Sequence, residues 1–405
     1  MAAPVAMNVL ALRPRESHGR PPEPADGHIA RVEVIDDMAA AEPHWRALEA
    51  GNSVNTPYQR YDFLKLWQRH VGSAAGITPF IVAGFSAAGR PLFVLPLGWR
   101  AIAGLRVVEF LGGKHANFNM GLWRRDAIDA IGAADLQAML QHLSGQADAL
   151  RLTNQPLTWA GTTNPFALLP HQRSANHGYS GALIADFDAL LRAHTNSATR
   201  KKMRKKERAL ASFGDVRFTQ ARSVEEVRHL LDVFFKQKSA RMRLLGVTDA
   251  FAPAEVRRFV EAAATEHVGG EPLIEIYALS VDDIVVATYG GIVGDGRFCA
   301  MFNSIIQDRY AAESPGEQLL VRLVRHCCER GLDSFDLGIG EANYKTLFCN
   351  DAEPLFDSYL PLSAGGRPLA AAFAAAAAVK RTIKGHEAFW AMVRATRRLR
   401  ARLSA

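Results

Sequence analysis

Cysteine is scarce in this chain of 405 residues. There are four, Cys299, Cys327, Cys328 and Cys349, with no CxxC pair and no histidine at zinc-ligand spacing. A disulfide framework is therefore excluded. The thiols are expected to be reduced, Cys327 and Cys328 to pack on a helix, and no metal site is expected. Long apolar runs are also missing. None reaches the ~20 residues a membrane-crossing helix needs, and the alanine-rich stretch from Leu369 to Val379 is too short. The opening MAAPVAMNVLALRPRESHGRPPEPADGH has no basic region ahead of its short apolar stretch and no cleavage pattern. It reads as a disordered leader over residues 1–28, and cytoplasm is the expected compartment. No Ser–His–Asp signature and no glycine-rich phosphate loop is written anywhere. With no cysteine or serine in an activated setting, a covalent enzyme intermediate is not expected.

What is present describes an ordinary globular protein, 48% hydrophobic and 22% charged, long enough for two domains. The net charge of +7 is concentrated in two places. From Lys380 onward, Arg381, Lys384, Arg394, Arg397, Arg398, Arg400 and Arg402 face a single acid, Glu387. Val379, Ile383, Trp390 and Val393 fall along one side of that tail. It suits a helix docked on its own domain or one held at an anionic membrane or acidic partner. The second basic place is RKKMRKKER from Arg200. No aromatic residue interleaves its charges, so sequence-specific nucleic-acid recognition is not expected. It is either a solvated helix face or a site for phosphates.

The elements come in an order that repeats. RVEVI is a strand; helical material around Trp45 and FLKLWQRH follows. A hairpin from Pro79 to Leu97 turns at Ala88–Gly89 and leads into LRVVEFLGG, and a helix is predicted from Asp126 to Leu150. The second half runs through DVRFTQ, a helix from Val224 to Leu245 and another from Pro253 to His267. A hairpin then turns at Asp282–Asp283, and the strand RFCAMFNSII follows it. Turn formers crowd residues 160–195, which are read as the junction. Two similarly built α+β domains result, over 29–180 and 181–366, with a basic amphipathic helix over 367–405.

The richest stretch is Ser314 to Asn350. Ser314, Pro315 and Glu317 form a predicted capping box; Leu319, Leu320, Leu323, Val324 and Cys327 share one face; Gly331 is the stop. In SFDLGIG, Phe335, Leu337 and Ile339 alternate with Asp336, Gly338 and Gly340, placing a carboxylate and two bare backbone positions on the face away from the core. Tyr344 and Lys345 follow. Asp336 is a candidate base for the face of a ligand cleft, or it caps a neighbouring backbone. Lys238 and Arg241, late in the long helix, pair to bind an anion or lie on a solvated face. His115 in GGKHANFN either meets a ligand or is structural.

From about Arg200 to Leu362 the residues resemble the GNAT-like acetyltransferases of the CelD/BcsL group, linked to cellulose and exopolysaccharide synthesis and related to FemAB-type aminoacyl transferases. The resemblance rests on RKKMRKKER, FFKQKSARMRLLGV, SPGEQLL and FDLGIGEANYK, with NTPYQRYDFLKLWQRHVG and LPLGWR in the first half. It implies tandem GNAT-like domains, each a mostly antiparallel mixed sheet flanked by helices. It further implies transfer of an acetyl group from acetyl-CoA to a sugar amine or hydroxyl in an exported polysaccharide precursor. Ser314, Pro315 and Gly316 then open the helix that meets the CoA pyrophosphate. The backbone beside Phe302, Asn303 and Ser304 supplies an oxyanion site, Tyr344 a general acid and Asp336 a base. Lys345, Lys238, Arg241 and His115 fall to the acceptor, a sugar or lipid-linked sugar, at the inner membrane face. Glu313 and Glu317 repel a pyrophosphate, which leaves two other functions open. One is an aminoacyl-tRNA-dependent transferase acting on a cell-wall precursor; the other is a catalytically degenerate scaffold in a synthase complex.

Overall fold

The computed structural model describes residues 27–268, 270–340, 347–349 and 351–386. The first half contains strand β1 (Arg31–Ile35), helices α1 (Met38–Glu49) and α2 (Tyr61–Trp67), and strands β2 (Thr78–Phe85), β3 (Pro91–Ile102) and β4 (Leu105–Phe110). Helix α3 (Ala133–Leu143) and strands β5 (Ala149–Pro156) and β6 (Gln172–Ala182) complete it. The second half begins with α4 (Phe187–His194), α5 (Ser197–Ala211), β7 (Val216–Gln220), α6 (Val224–Leu245) and α7 (Ala254–Thr265). It continues through β8 (Glu275–Val281), β9 (Ile284–Gly294), β10 (Arg297–Ile305), α8 (Pro315–Glu329), β11 (Ser334–Ile339), β12 (Asp351–Pro361) and α9 (Gly366–Gly385). No described helix is long and apolar enough to cross a membrane.

Local chemistry sets most of these boundaries. Helix α6 starts where the Ser223 hydroxyl accepts from the Glu226 amide at 3.1 Å and the Glu226 carboxylate accepts from the Ser223 amide at 3.1 Å. It stops at Gly246, whose φ of +61° releases the chain. The helix predicted over 126–150 is much shorter. Gly132 caps α3, Ser144 leaves it in extended backbone, and Ala149 onward is strand. Helix α8 buries Leu319, Leu320, Leu323, Val324 and Cys327 as its spacing predicts, each at 0% exposure. Burial on that scale is worth about 1.5–3 kcal/mol per large aliphatic side chain.

One 14-stranded sheet runs through the molecule. Its main path is β1-β2-β3-β4-β5-β12-β6-β11-β10-β9-β8-β7, with two short strands, Ser53–Val54 and Leu122–Arg124, beside it. Each half is antiparallel except for one parallel step. That step joins β4 to β5 at Val107 opposite Ala149, and β10 to β11 at Arg297 opposite Ser334. The halves then trade their last strands. β6 leaves the first half to pair with β11, and β12 leaves the second to pair with β5. The expected boundary at residue 180 therefore lies inside a strand, and the turn-rich residues 160–195 contain one of the sheet's central members. Position between β11 and β12 supplies the ladder that β6's polar composition does not announce. The fold is α+β, with both halves built as mostly antiparallel mixed sheets flanked by helices.

Candidate functional site

Beyond their parallel step, β10 and β11 part. Gly338, at φ +67°, turns β11 aside, and Asn117 from the first half enters the gap. Its Nδ2 donates to the Ala300 carbonyl at 3.0 Å and to the Tyr58 hydroxyl at 3.1 Å. A Cβ on Gly338 would lie 2.5 Å from Asn117 Nδ2 and 3.1 Å from the Ala300 carbonyl oxygen, so the close approach needs glycine. A cavity of about 140 Å³ remains, lined by Asn117, Lys238, Phe302, Asn303, Gly338 and Ile339 among others. The Lys238 ammonium donates to the Asn303 carbonyl at 3.2 Å and stands 5.8 Å from the Phe251 ring centre. Burial pushes its pKa below the usual lysine value, against the pull of Asp249.

The first half parts in the corresponding place. A cavity of about 600 Å³ opens between β4 and β5, with Trp99, Arg100, Glu109, Arg151, Asn154 and Asp357 on its walls. Glu109 pairs with Arg100 and with Arg151, both at 3.1 Å. Asp357 accepts from the Asn154 amide at 2.9 Å and from the Tyr359 hydroxyl at 3.3 Å, and burial raises its carboxyl pKa. The bulged stretch of β6 around Ser174 to Asn176 and residues Phe373 and Lys380 of α9 close the sides. Ile339 lines this cavity and the narrow one alike, so the two adjoin.

The residues singled out in the sequence are distributed unevenly over this geometry. Lys238, Phe302 and Asn303 line the narrow cavity; Arg241, one turn beyond Lys238, does not. The Ser304 hydroxyl is buried between Thr288 and Gln237, each at 2.7 Å, and belongs to the interior. Asp336 also faces no cleft. It is 0% exposed, accepts from Arg297 Nε at 2.8 Å and takes the Gly338 amide at 2.8 Å. Arg297 grips Glu353 as well, at 2.8 and 2.9 Å, and lies 4.3 Å from the Trp159 ring centre. Burial raises the Asp336 pKa and Arg297 opposes the rise. The base predicted there is thus the centre of a buried ion-pair cluster, because strand alternation says nothing about what covers the second face of a central strand.

His115 is likewise structural. Its Nδ1 accepts from Trp67 Nε1 at 3.1 Å, and its ring packs near Phe251 and Phe259. Ser314 does not cap α8 through its side chain. It adopts φ +52°, its hydroxyl receives the Lys206 ammonium, and its carbonyl accepts the Glu317 and Gln318 amides. Pro315 does open the helix, and Gly316 packs against Ile305. Tyr344 and Lys345 lie outside the described residues. Gly338 was read as a bare backbone position on the cleft face, but Asn117 was not recognised in the sequence as a site residue. Asn117 stands two residues past His115 in the same glycine- and asparagine-rich loop, and that company was the available signal.

Residues 197–346 match a family described as an acetyltransferase (GNAT) domain. No curated protein matches the chain by sequence. Among solved structures, the chain is similar to the C-terminal domain (DUF2156) of a candidate lysylphosphatidylglycerol synthetase from Agrobacterium fabrum. The two are 12% identical with TM-score 0.50, over 85% of this chain and 96% of that one. A structure of FemX is similar at 10% identity and TM-score 0.51, over 84% and 98%. At such identity these likenesses speak for the fold alone. Residues 197–346, opened by the basic helix α5 and containing the β10–β11 gap, form a GNAT-type acyltransferase domain.

Proposed function

We propose that the protein moves an acetyl group from acetyl-CoA to an amine or hydroxyl of a sugar in the precursor of an exported polysaccharide. The adjacency of the two cavities at Ile339 carries this reading. The narrow one suits a thioester and its slender arm. The wide one is lined by Trp99, Tyr359 and Phe373 together with Asn119, Asn154 and Asn176, a mixture of aromatic and amide groups suited to sugar rings and hydroxyls. The acceptor nitrogen or oxygen attacks the thioester carbonyl and gives up its proton to solvent, the C–S bond breaks, and CoA leaves as a thiolate. Lys238 is the cationic donor nearest the developing oxyanion. Tyr344 is the proposed acid for the thiolate, Lys345 a contact for an anionic acceptor, and the arginines from Arg394 onward the contact with the inner membrane face.

Purified protein is incubated with acetyl-CoA and a panel of nucleotide- and lipid-linked sugars, reading thiol release and acetylated product together. Acceptor-dependent release with an acetylated sugar is the expected result. A second reading, an aminoacyl-tRNA donor, is favoured by the exposed outer side of α5, where Lys201, Lys202, Lys205 and Arg208 stand. Aminoacylated product with charged tRNA, and none with acetyl-CoA, would move the assignment there.

A further inference from the structure

A third cavity, of about 570 Å³, lies away from both gaps, in the groove between α4–α5 and α8. It starts at Ser314, where the chain leaves β10 for α8, and follows α8 through Gln318, Arg322 and Arg325 to Glu329. Its far wall is the inner side of α5, with Arg200, Met203, Arg204 and Lys206. One end is aromatic: Phe187, Phe218 and His326 line it, and Arg325 lies 4.3 Å from the Phe187 ring centre. Five arginines and lysines face three glutamates on its lining. Two of the acids in and around it are taken, since Arg322 pairs with Glu207 at 2.8 Å and Arg325 with Asp188 at 3.3 Å. Gln318 is 7% exposed and lines the groove, and its amide oxygen has no hydrogen-bond partner. A basic rim and an aromatic end together describe a site for a flat, phosphate-bearing group.

We infer that this groove takes the phosphorylated nucleoside end of the acyl donor, with the helix preceding the acyltransferase sheet supplying its phosphate contacts. The inference rests on the donor assignment above and deepens it. The start of α8 is a poor phosphate cradle here. Pro315 has no amide hydrogen, the Glu317 and Gln318 amides go to Ser314, and Glu313 and Glu317 carry negative charge beside it. Lys206 reaches across from α5 to the Ser314 hydroxyl and brings positive charge to that corner. Arg204 lies on the same side of α5, and Arg200, whose guanidinium donates to Thr195, stands one turn before it; both line the groove and bring positive charge to it.

The test compares the full-length protein with the R200E/R204E double variant and with M203W, which fills the groove without changing charge. Calorimetry measures acetyl-CoA, dephospho-CoA and adenosine 3′,5′-bisphosphate; turnover is measured with acetyl-CoA and with S-acetylpantetheine. The expected result is a loss of at least about tenfold in affinity for acetyl-CoA and the bisphosphate in both variants. Turnover of S-acetylpantetheine should be unchanged, and melting temperatures should stay close to wild type. Variants that keep wild-type affinity and KM for acetyl-CoA overturn the groove and leave the donor assignment standing. If wild type binds the bisphosphate in the groove but never transfers from acetyl-CoA, the donor assignment fails and the groove stands. If wild type binds none of the three nucleotides, the groove is overturned.

Discussion

The two halves open in the same place and to different effect. Between β4 and β5 the sheet parts around about 600 Å³, walled by charges that neutralise one another, Arg100 and Arg151 on Glu109. Between β10 and β11 it parts around about 140 Å³, because Asn117 has been inserted and Gly338 has made room for it. In the second half the ion-pair chemistry sits one step lower, at the closed end of the gap, where Arg297 binds the buried Asp336 and the half-buried Glu353. The same topological feature is thus left wide in one half and narrowed in the other, above a carboxylate that Arg297 holds. The part of the first half that narrows the second is a single side chain, so neither half forms this site alone.

The contrast can be broken most forcefully at the closed end. Arg297→Met leaves Asp336 buried, and Glu353 half-buried beside it, without their cation and should cost about 3–5 kcal/mol, read from the denaturation midpoint. Retention of wild-type stability would show that the cluster does not lock the gap. Gly338→Val acts on the gap itself, forcing a β-branched residue to positive φ and into Asn117. A loss of about 1–3 kcal/mol is expected, together with a fall in kcat/KM larger than that of Arg297→Met. Asn117→Ala strips the Ala300 carbonyl and the Tyr58 hydroxyl of their donor, at about 1–3 kcal/mol. If the first half shapes the acyl site, KM for acetyl-CoA should change while the affinity for acceptor does not.

Lys238→Met should move stability the other way, by about 0.5–2 kcal/mol. Burial lowers the folded-state pKa of Lys238 below its unfolded value, so folding favours the neutral amine. The penalty is complete below the folded pKa and fades as pH rises through it toward the unfolded value. The gain from Lys238→Met should therefore be largest at neutral pH and shrink in alkali, with activity lost throughout. A gain independent of pH would assign the effect to packing. Arg228→Ala, at an exposed pair with Glu261 at 2.8 Å, should change stability by no more than about 1 kcal/mol and leave turnover alone.

Where a segment's structure depends on its own residues, the sequence was readable. The hairpin turns around Ala88–Gly89 and Asp282–Asp283, the limits of α6, the apolar face of α8 and its stop at Gly331 all follow from local signals. Strand β6 was not readable, because its hydrogen bonds come from β11 and β12, more than 150 residues away in sequence. Nor was the end of the helix predicted over 126–150, where the strand that begins at Ala149 is claimed by β12. Of the residues singled out in the sequence, Lys238, Phe302 and Asn303 line the narrow cavity because the order of elements puts them at the gap. Asp336 was misplaced because the residue that matters to it, Arg297, is brought by a parallel neighbour, and parallel pairing leaves no local trace.

The sequence by itself determined the segments whose helix or strand signals are local, that they recur in two similar sets, and that positive charge collects on α5 and the tail. Those properties depend on neighbours within a turn or a hairpin. Only the tertiary structure decided that the halves exchange their last strands, that Asn117 closes the second gap, and that Asp336 is locked instead of free. Each of those outcomes is a contact between residues far apart in the chain, fixed by which surfaces the fold leaves for one another to cover.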